Sequence, residues 1–256
     1  MSHHSLVVVD LAYSYPDGTP ALDGVDFSLE PGERVALLGA NGAGKTTLAL
    51  HLNGLLTASR GTVYVAGLPV DGPHLPEIRQ RVGMVFQDPD DQLFMPTLAE
   101  DVAFGPANLG RSGVDLERCV DDALDAMGLL ELRERAPHHL SFGQRRRAAV
   151  ATVLAMHPDV LVFDEPTSNM DQAGRRELAE ALDGLDVTML TITHDLSHAL
   201  ATCPRSIVMN AGRVVADGPT IELLADETLL AANRLELPYG MTLAVETHHL
   251  MNRSTT

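Results

Sequence analysis

The stretch Gly39-Ala40-Asn41-Gly42-Ala43-Gly44-Lys45-Thr46-Thr47 holds the one Lys in a chain of 256 residues; Arg supplies every other basic side chain. Its first eight residues fit G-x-x-x-x-G-K-[ST]. The flanks give that pattern the context it needs: RVALLG (Arg34–Gly39) reads as a buried strand, and GKTTLALHLNGLL (Gly44–Leu56) as the helix that follows. Glycines in such a loop let main-chain N–H groups curl around a β-phosphate, and the helix N-terminus adds a favourable dipole. Lys45 is expected to reach the β- and γ-phosphates and Thr46 to place its hydroxyl on Mg²⁺. Ala40, Asn41, Gly42, Ala43 and Thr47 complete the cradle. A compact ammonium on a flexible stem fits between phosphate oxygens as a point charge, which the wide, planar guanidinium does not do. A chain that uses Arg elsewhere still needs Lys at this one place.

Outward from the loop, the pattern alternates. SLVVVDLAYSY (Ser5–Tyr15), VDFSLE (Val25–Glu30), TVYVAG (Thr62–Gly67) and VGMVF (Val82–Phe86) read as strands. After Pro158, VLVF (160–163), VTMLTI (187–192) and SIVMN (206–210) are short apolar runs, with a charged helix at GRRELAEALDGL (174–185) among them. Helical periodicity dominates between, at LERCVDDALDAMGLLEL (116–132) and QRRRAAVATVLAM (144–156). This predicts an α/β fold: a mostly parallel sheet flanked by helices and interrupted by an inserted helical subdomain. The expected division is a core of residues 1–87 and 159–220, a helical insertion at 88–158, and a helical tail at 221–256.

Thirty-five acidic residues against 18 basic ones give a formal charge of −17. Bulk attraction to nucleic acid or to an anionic lipid surface is not expected, because phosphates need a basic patch. Cys119 and Cys203 show no metal or redox spacing. The start, MSHHSLVVVD, lacks the pattern of a secretory signal, and the longest nearly apolar run, Ala148–Met156, is far short of a bilayer span. A cytoplasmic chain is expected. The adjacent pairs His138–His139 and His248–His249 are read as structural or surface residues, since sequence neighbours rarely face one metal.

Four further sites follow the loop in order. VLVFDEP (Val160–Pro166) is an apolar strand ending in two carboxylates. Asp164 is the candidate Mg²⁺ ligand, directly or through water, and Glu165 the candidate that polarises an attacking water. His194, in THDL after the next strand, is the candidate sensor of a γ-phosphate. Gln87, at the end of VGMVF, is the candidate amide for Mg²⁺ or the water, at the border of the helical insertion. In LSFGQ (Leu140–Gln144), Ser141, Phe142, Gly143 and Gln144 open a helix and form a second anion site. One chain then has two phosphate-facing surfaces and one complete cradle, so the second is expected to serve another subunit.

This ordered set resembles the ATP-binding-cassette ATPases over nearly the whole chain, and that resemblance implies a P-loop NTPase fold with N-terminal antiparallel strands beside the mostly parallel sheet. The resemblance implies ATP and Mg²⁺ as ligands, and a head-to-tail dimer closing on two ATP molecules, each held between one subunit's Gly39–Thr47 and the other's Ser141–Gln144. It implies Tyr15 as the aromatic that stacks on adenine, Asp171 in SNMD as the D-loop residue at the dimer contact, and dimer contacts for the tail. The sequence departs from the family's pattern at one point: Phe142 stands where the signature usually has its first glycine. HLNGLL (51–56), VFQDPDDQLF (85–94), DVAFGPANLG (101–110) and HHLSFGQRRR (138–147) further resemble the energy-coupling-factor importers, including cobalt and nickel systems. That likeness implies a transmembrane coupling subunit, a membrane substrate-binding subunit and a place on the cytoplasmic face of the membrane. Asp88, Asp90 and Asp91 are the candidates to receive Arg-bearing helices of the coupling subunit. A soluble cassette ATPase with no tie to transport would share every one of the catalytic motifs; only the partner surface separates the two.

Overall fold

A computed structural model describes residues 4–237; His248–His249, most of the last run ELPYGM (236–241) and the end of the tail lie outside the described residues. Strands β1 (Leu6–Ser14), β2 (Pro20–Leu29) and β3 (Arg34–Leu38) lead into helix α1 (Lys45–Leu52). β4 (Arg60–Val65), β5 (Leu68–Pro69), α2 (Leu75–Arg81) and β6 (Val82–Val85) follow. Next come α3 (Leu98–Asn108), α4 (Gly113–Ala126) and α5 (Phe142–Leu154), with short 3₁₀ turns around them. The chain then runs β7 (Val160–Asp164), α6 (Gln172–Asp183), β8 (Thr188–Ile192), α7 (Leu196–Thr202), β9 (Arg205–Asn210), β10 (Arg213–Pro219), α8 (Thr220–Ala225) and α9 (Glu227–Ala232).

Two sheets result. One is antiparallel, in the order β2-β1-β4-β5; the other has six strands in the order β10-β9-β3-β8-β7-β6. In the second, β9, β3, β8, β7 and β6 run parallel, and only the edge strand β10 is antiparallel. The protein therefore has the α/β P-loop NTPase fold with antiparallel N-terminal strands. Parallel strands with both faces covered read as continuous apolar runs, and β6 and β8 are buried at every residue, as is β7 up to Phe163. One side of this sheet packs with the antiparallel sheet and α1 in a core that includes Leu6, Leu29, Leu37, Leu48 and Ile192. The other side shares a core with the helical insertion, in which Val85, Leu161 and Phe163 meet Val102, Leu124 and Val150. A third cluster joins Ala36, Leu38 and Val208 to α7, α8 and α9.

Element ends differ from the sequence pattern for local reasons. The run 116–132 is not one helix: α4 ends at Ala126, Gly128 adopts φ +64°, and Leu130–Leu132 forms a separate turn. α1 stops at Leu52 rather than Leu56, just before Gly54 at φ +69°. α3, which carries Pro106 inside its last turns, and the edge strand β10, exposed at every second residue, escaped the pattern. Among the described residues no helix is long and apolar enough to cross a membrane.

Phe163 is fully buried one residue before Asp164. Phe163→Ala is expected to cost about 3–5 kcal/mol, read as a lower denaturant midpoint at unchanged slope.

Candidate nucleotide site

Ligands in parallel α/β sheets bind at the carboxyl ends of the strands. Here β3 ends at the glycine loop, β7 at Asp164–Glu165, β8 at Thr193–His194 and β6 at Gln87. Gln87, Asp164, Glu165 and His194, with Tyr15, line a cleft of about 550 Å³ that also includes Asn41, Gly42, Ala43, Gly44, Lys45, Thr46 and Thr47. A hollow of about 630 Å³ lined by His4, Pro31, Arg81, Asp159 and Asp186 lies at the opposite, amino ends of the strands and has no phosphate loop.

Two loop glycines are required by space. A Cβ on Gly39 would stand 2.4 Å from the Met209 carbonyl oxygen, and one on Gly44, at φ +103°, 2.5 Å from that of Ala21. Gly44 is also the N-cap of α1 and offers no side chain to cap it. The first N–H groups of the helix thus remain for an anion. Lys45 is buried, and its Nζ donates to the carbonyls of Gly39 at 2.6 Å and Ala40 at 3.1 Å. Burial pulls its pKa down, against the upward pull of Glu165 and Asp164. The ammonium has three donors and its loop takes two, so it lies across the cradle with a donor left for phosphate.

The acidic end is built by strand register. Asp164 at the end of β7 pairs with Ile192 at the end of β8, which sets Glu165 beside Thr193 and His194. Glu165 adopts φ +49°, unusual for a side-chain-bearing residue, and its N–H donates to the Ile192 carbonyl at 2.8 Å. Its Oε1 meets His194 Nδ1 at 2.7 Å and accepts from the His194 N–H at 3.1 Å, while Oε2 accepts from the Thr193 hydroxyl at 3.2 Å. Asp164 Oδ2 accepts from the Thr46 hydroxyl at 3.3 Å. Burial first, and then the charge of Glu165, raise the Asp164 pKa. A hydroxyl and a carboxylate side by side, with a second acid next door, make a hard oxygen donor set that fits Mg²⁺. Gln87 Nε2 lies 3.4 Å from Ser168 Oγ at the same end of the cleft. Tyr15 stands at the rim, its hydroxyl 2.8 Å from Thr47 Oγ1 and its ring edge-on to Tyr13.

The signature lies elsewhere. Ser141 caps α5 in a reciprocal box: its Oγ accepts from the Gln144 N–H, and its own N–H donates to Gln144 Oε1 at 2.9 Å. Ser141, Phe142 and Gly143 line a separate hollow of about 370 Å³ with Asn169, Met170 and Asp171. Asp171 caps α6 through Gly174 N–H at 2.8 Å. Within one chain the signature and the phosphate loop thus open into different clefts. The acidic turn is also outside the nucleotide cleft: Asp88 caps its own turn, Asp90 pairs with Arg145 at 3.0 Å, and Asp91 is exposed. Sequence reading passed over Arg146 and Thr193. Arg146 stood in a run of three Arg that read as a basic helix, although it is fully buried.

A phosphate loop on a parallel sheet, with an acidic pair and a His on the neighbouring strand ends, defines a P-loop nucleoside triphosphatase. The chain belongs to the ABC transporter family, whose model matches residues 22–168. It is 65% identical over 240 residues to a putative ABC transporter ATP-binding protein of Streptomyces avermitilis, covering 94% of this chain and 92% of that one. It is 49% identical over 234 residues to the energy-coupling factor transporter ATP-binding protein EcfA of Carboxydothermus hydrogenoformans, covering 90% and 86% of the two. The solved structure of cbiO1 from Clostridium perfringens, part of the ABC transporter complex cbiONQ, superposes with a TM-score of 0.82 at 37% identity, covering 92% of this chain and 96% of that one. The protein is the ATP-binding, ATP-hydrolysing subunit of an ABC transporter.

Lys45→Ala is expected to weaken nucleotide binding by at least about tenfold, the loss of one charge-assisted contact, in a titration with fluorescent ATP. Retained affinity would contradict the cradle.

Proposed function

We propose that this chain is the motor of an importer of the energy-coupling-factor type, carrying a transition-metal ion such as cobalt or nickel, or a vitamin. The observation that carries this reading is the combined likeness to EcfA and to cbiO1 across nine-tenths of the chain. It works as a dimer, with itself or with a second ATPase of the family, on the cytoplasmic face of the membrane, below a transmembrane coupling subunit and a membrane substrate-binding subunit. No nucleic acid takes part.

ATP binds with its phosphates on the Gly39–Thr47 loop and its adenine against Tyr15. Thr46, Asp164 and Gln87 would hold Mg²⁺, which would supply charge neutralisation for the phosphates when bound. The signature residues Ser141–Gln144 of one subunit cover the ATP of the other, with Asp171 at the contact, and the dimer closes. The Glu165–His194 contact at 2.7 Å keeps the carboxylate occupied in the open chain. On closure His194 turns to the γ-phosphate and Glu165 is freed to orient the attacking water. The helical insertion, 88–158, shifts against the core of 1–87 and 159–220, and hydrolysis resets it. The tail, 221–256, supports the dimer.

The partner surface is the turn Asp88–Asp91 with the apolar edge beside it. Phe94 and Phe104 are exposed large apolar side chains in edge-to-face contact at 5.1 Å, an arrangement suited to an apolar helix with a cation at one end. Among the described residues Asp91 is the carboxylate of the turn without a hydrogen-bond or ion-pair partner, while Asp90 is already engaged by Arg145.

Glu165→Gln is expected to bind ATP, stop turnover and remain a closed dimer, eluting earlier than the wild type on gel filtration with ATP; normal turnover would sink the assignment of Glu165. For the transporter type, the tagged chain is purified from detergent-solubilised membranes of its host. Co-purification of a multi-span membrane protein with Arg-bearing cytoplasmic helices is the expected result. Recovery with soluble proteins alone would remove the importer reading and leave the ATPase chemistry standing.

A further inference from the structure

Arg146, on the signature helix α5, is among the largest fully buried side chains of the protein, at 0% exposure. No carboxylate pairs with it among the described residues. Its Nη1 donates to the Phe86 carbonyl at 2.6 Å and its Nη2 to the Gln87 carbonyl, while Nε has no partner among the described residues. Burial pulls its pKa down, with only the more distant charges of Asp88 and Asp164 opposing. A buried cation so poorly compensated is a weak stabiliser, and an apolar side chain of similar volume would fill the space at less cost. Its value lies in where it holds the main chain.

The same helix ties down the rest of the turn. Arg145 pairs with Asp90 at 3.0 Å. Gln92 Nε2 donates to the Ala149 carbonyl and to Thr152 Oγ1, both at 2.8 Å, and Gln92 Oε1 accepts from the Phe86 N–H at 3.3 Å. Phe142, the residue that departs from the family's signature, lays its ring 5.8 Å from the Arg145 guanidinium carbon and 5.7 Å from that of Arg146. Segment 86–92 is thus laced to α5 by side chains and joined to β6 by the chain itself.

We propose that Arg146 is a positioning residue for ATP hydrolysis: it fixes the main chain at Gln87 to the signature helix, with Phe142 bracing it, and so holds the Gln87 amide at the catalytic end of the cleft. This rests on the reading of Gln87 as the amide that meets Mg²⁺ or the attacking water.

The test is a cycle of full-length variants assayed for ATP turnover, nucleotide affinity and thermal melting: Arg146→Met, Gln87→Ala and the two combined, with Arg146→Lys as the conservative variant. Arg146→Met is expected to lower kcat by about ten- to a hundredfold, as displacement of a catalytic group does, with nucleotide affinity little changed. Arg146→Lys recovers part of that loss, and Arg146→Met causes no further loss in the Gln87→Ala chain. Should Arg146→Met fail to fold, Phe142→Leu, at a half-buried position, takes its place in the same cycle with a smaller expected loss. An impaired Gln87→Ala to which the Arg146 or Phe142 change adds its full cost overturns the clamp alone. So does unchanged turnover in the folded Arg146 variant. Wild-type turnover by Gln87→Ala overturns the role of Gln87 and the clamp with it.

Discussion

The site depends on the side-by-side carboxyl ends of β3, β8, β7 and β6. Adjacent strands lie about 4.8 Å apart, so four consecutive strands bring four loops within reach of one triphosphate. The register β3–β8–β7–β6 is held by main-chain hydrogen bonds between strands buried on both faces. Slippage would separate Glu165 from His194, because these residues meet only through the pairing of Asp164 with Ile192. The apolar content of the strands is therefore a condition of the chemistry as much as of the fold.

On that frame, charge is arranged in opposition. Lys45 and the uncapped N–H groups of α1 form the positive side of the cleft; Asp164 and Glu165 form the negative side. In the free protein each half finds a temporary partner. Lys45 leans on the carbonyls of its own loop, Asp164 on the Thr46 hydroxyl, and Glu165 on His194 and Thr193. A bound triphosphate brings the first side an anion, and the second side is an oxygen donor set that would fit a cation. Exchange of weak internal partners for strong ligand contacts is how binding energy becomes available for rearrangement.

The helical insertion shares a core with the sheet and presents the Ser141-capped start of α5. Phe142 does not disturb that helix start: the serine cap and the reciprocal bond with Gln144 are intact, and the ring lies beside two guanidinium groups. The departure from a glycine thereby gains a packing role without occupying the N–H groups of the helix start.

The sequence by itself determined the phosphate loop, the strand character of the buried runs, the acidic pair, the His and the helix-capping signature. Each is a local property: a glycine where a Cβ has no room, a continuous apolar run, a Ser three residues before a Gln. It also sufficed for the order of these motifs, and so for the family. It did not reach the edge strand β10, the end of α4 at Ala126, or the pairing of Asp90 with Arg145, because these are decided by which neighbours the fold supplies. Arg146 is the clearest case. In sequence it is one of three consecutive basic residues on a helix. Only the packing of α5 against the end of β6 shows that the middle one is fully buried and spends its hydrogen bonds on the main chain at Gln87, since burial depends on what lies across the helix and not on the residue itself.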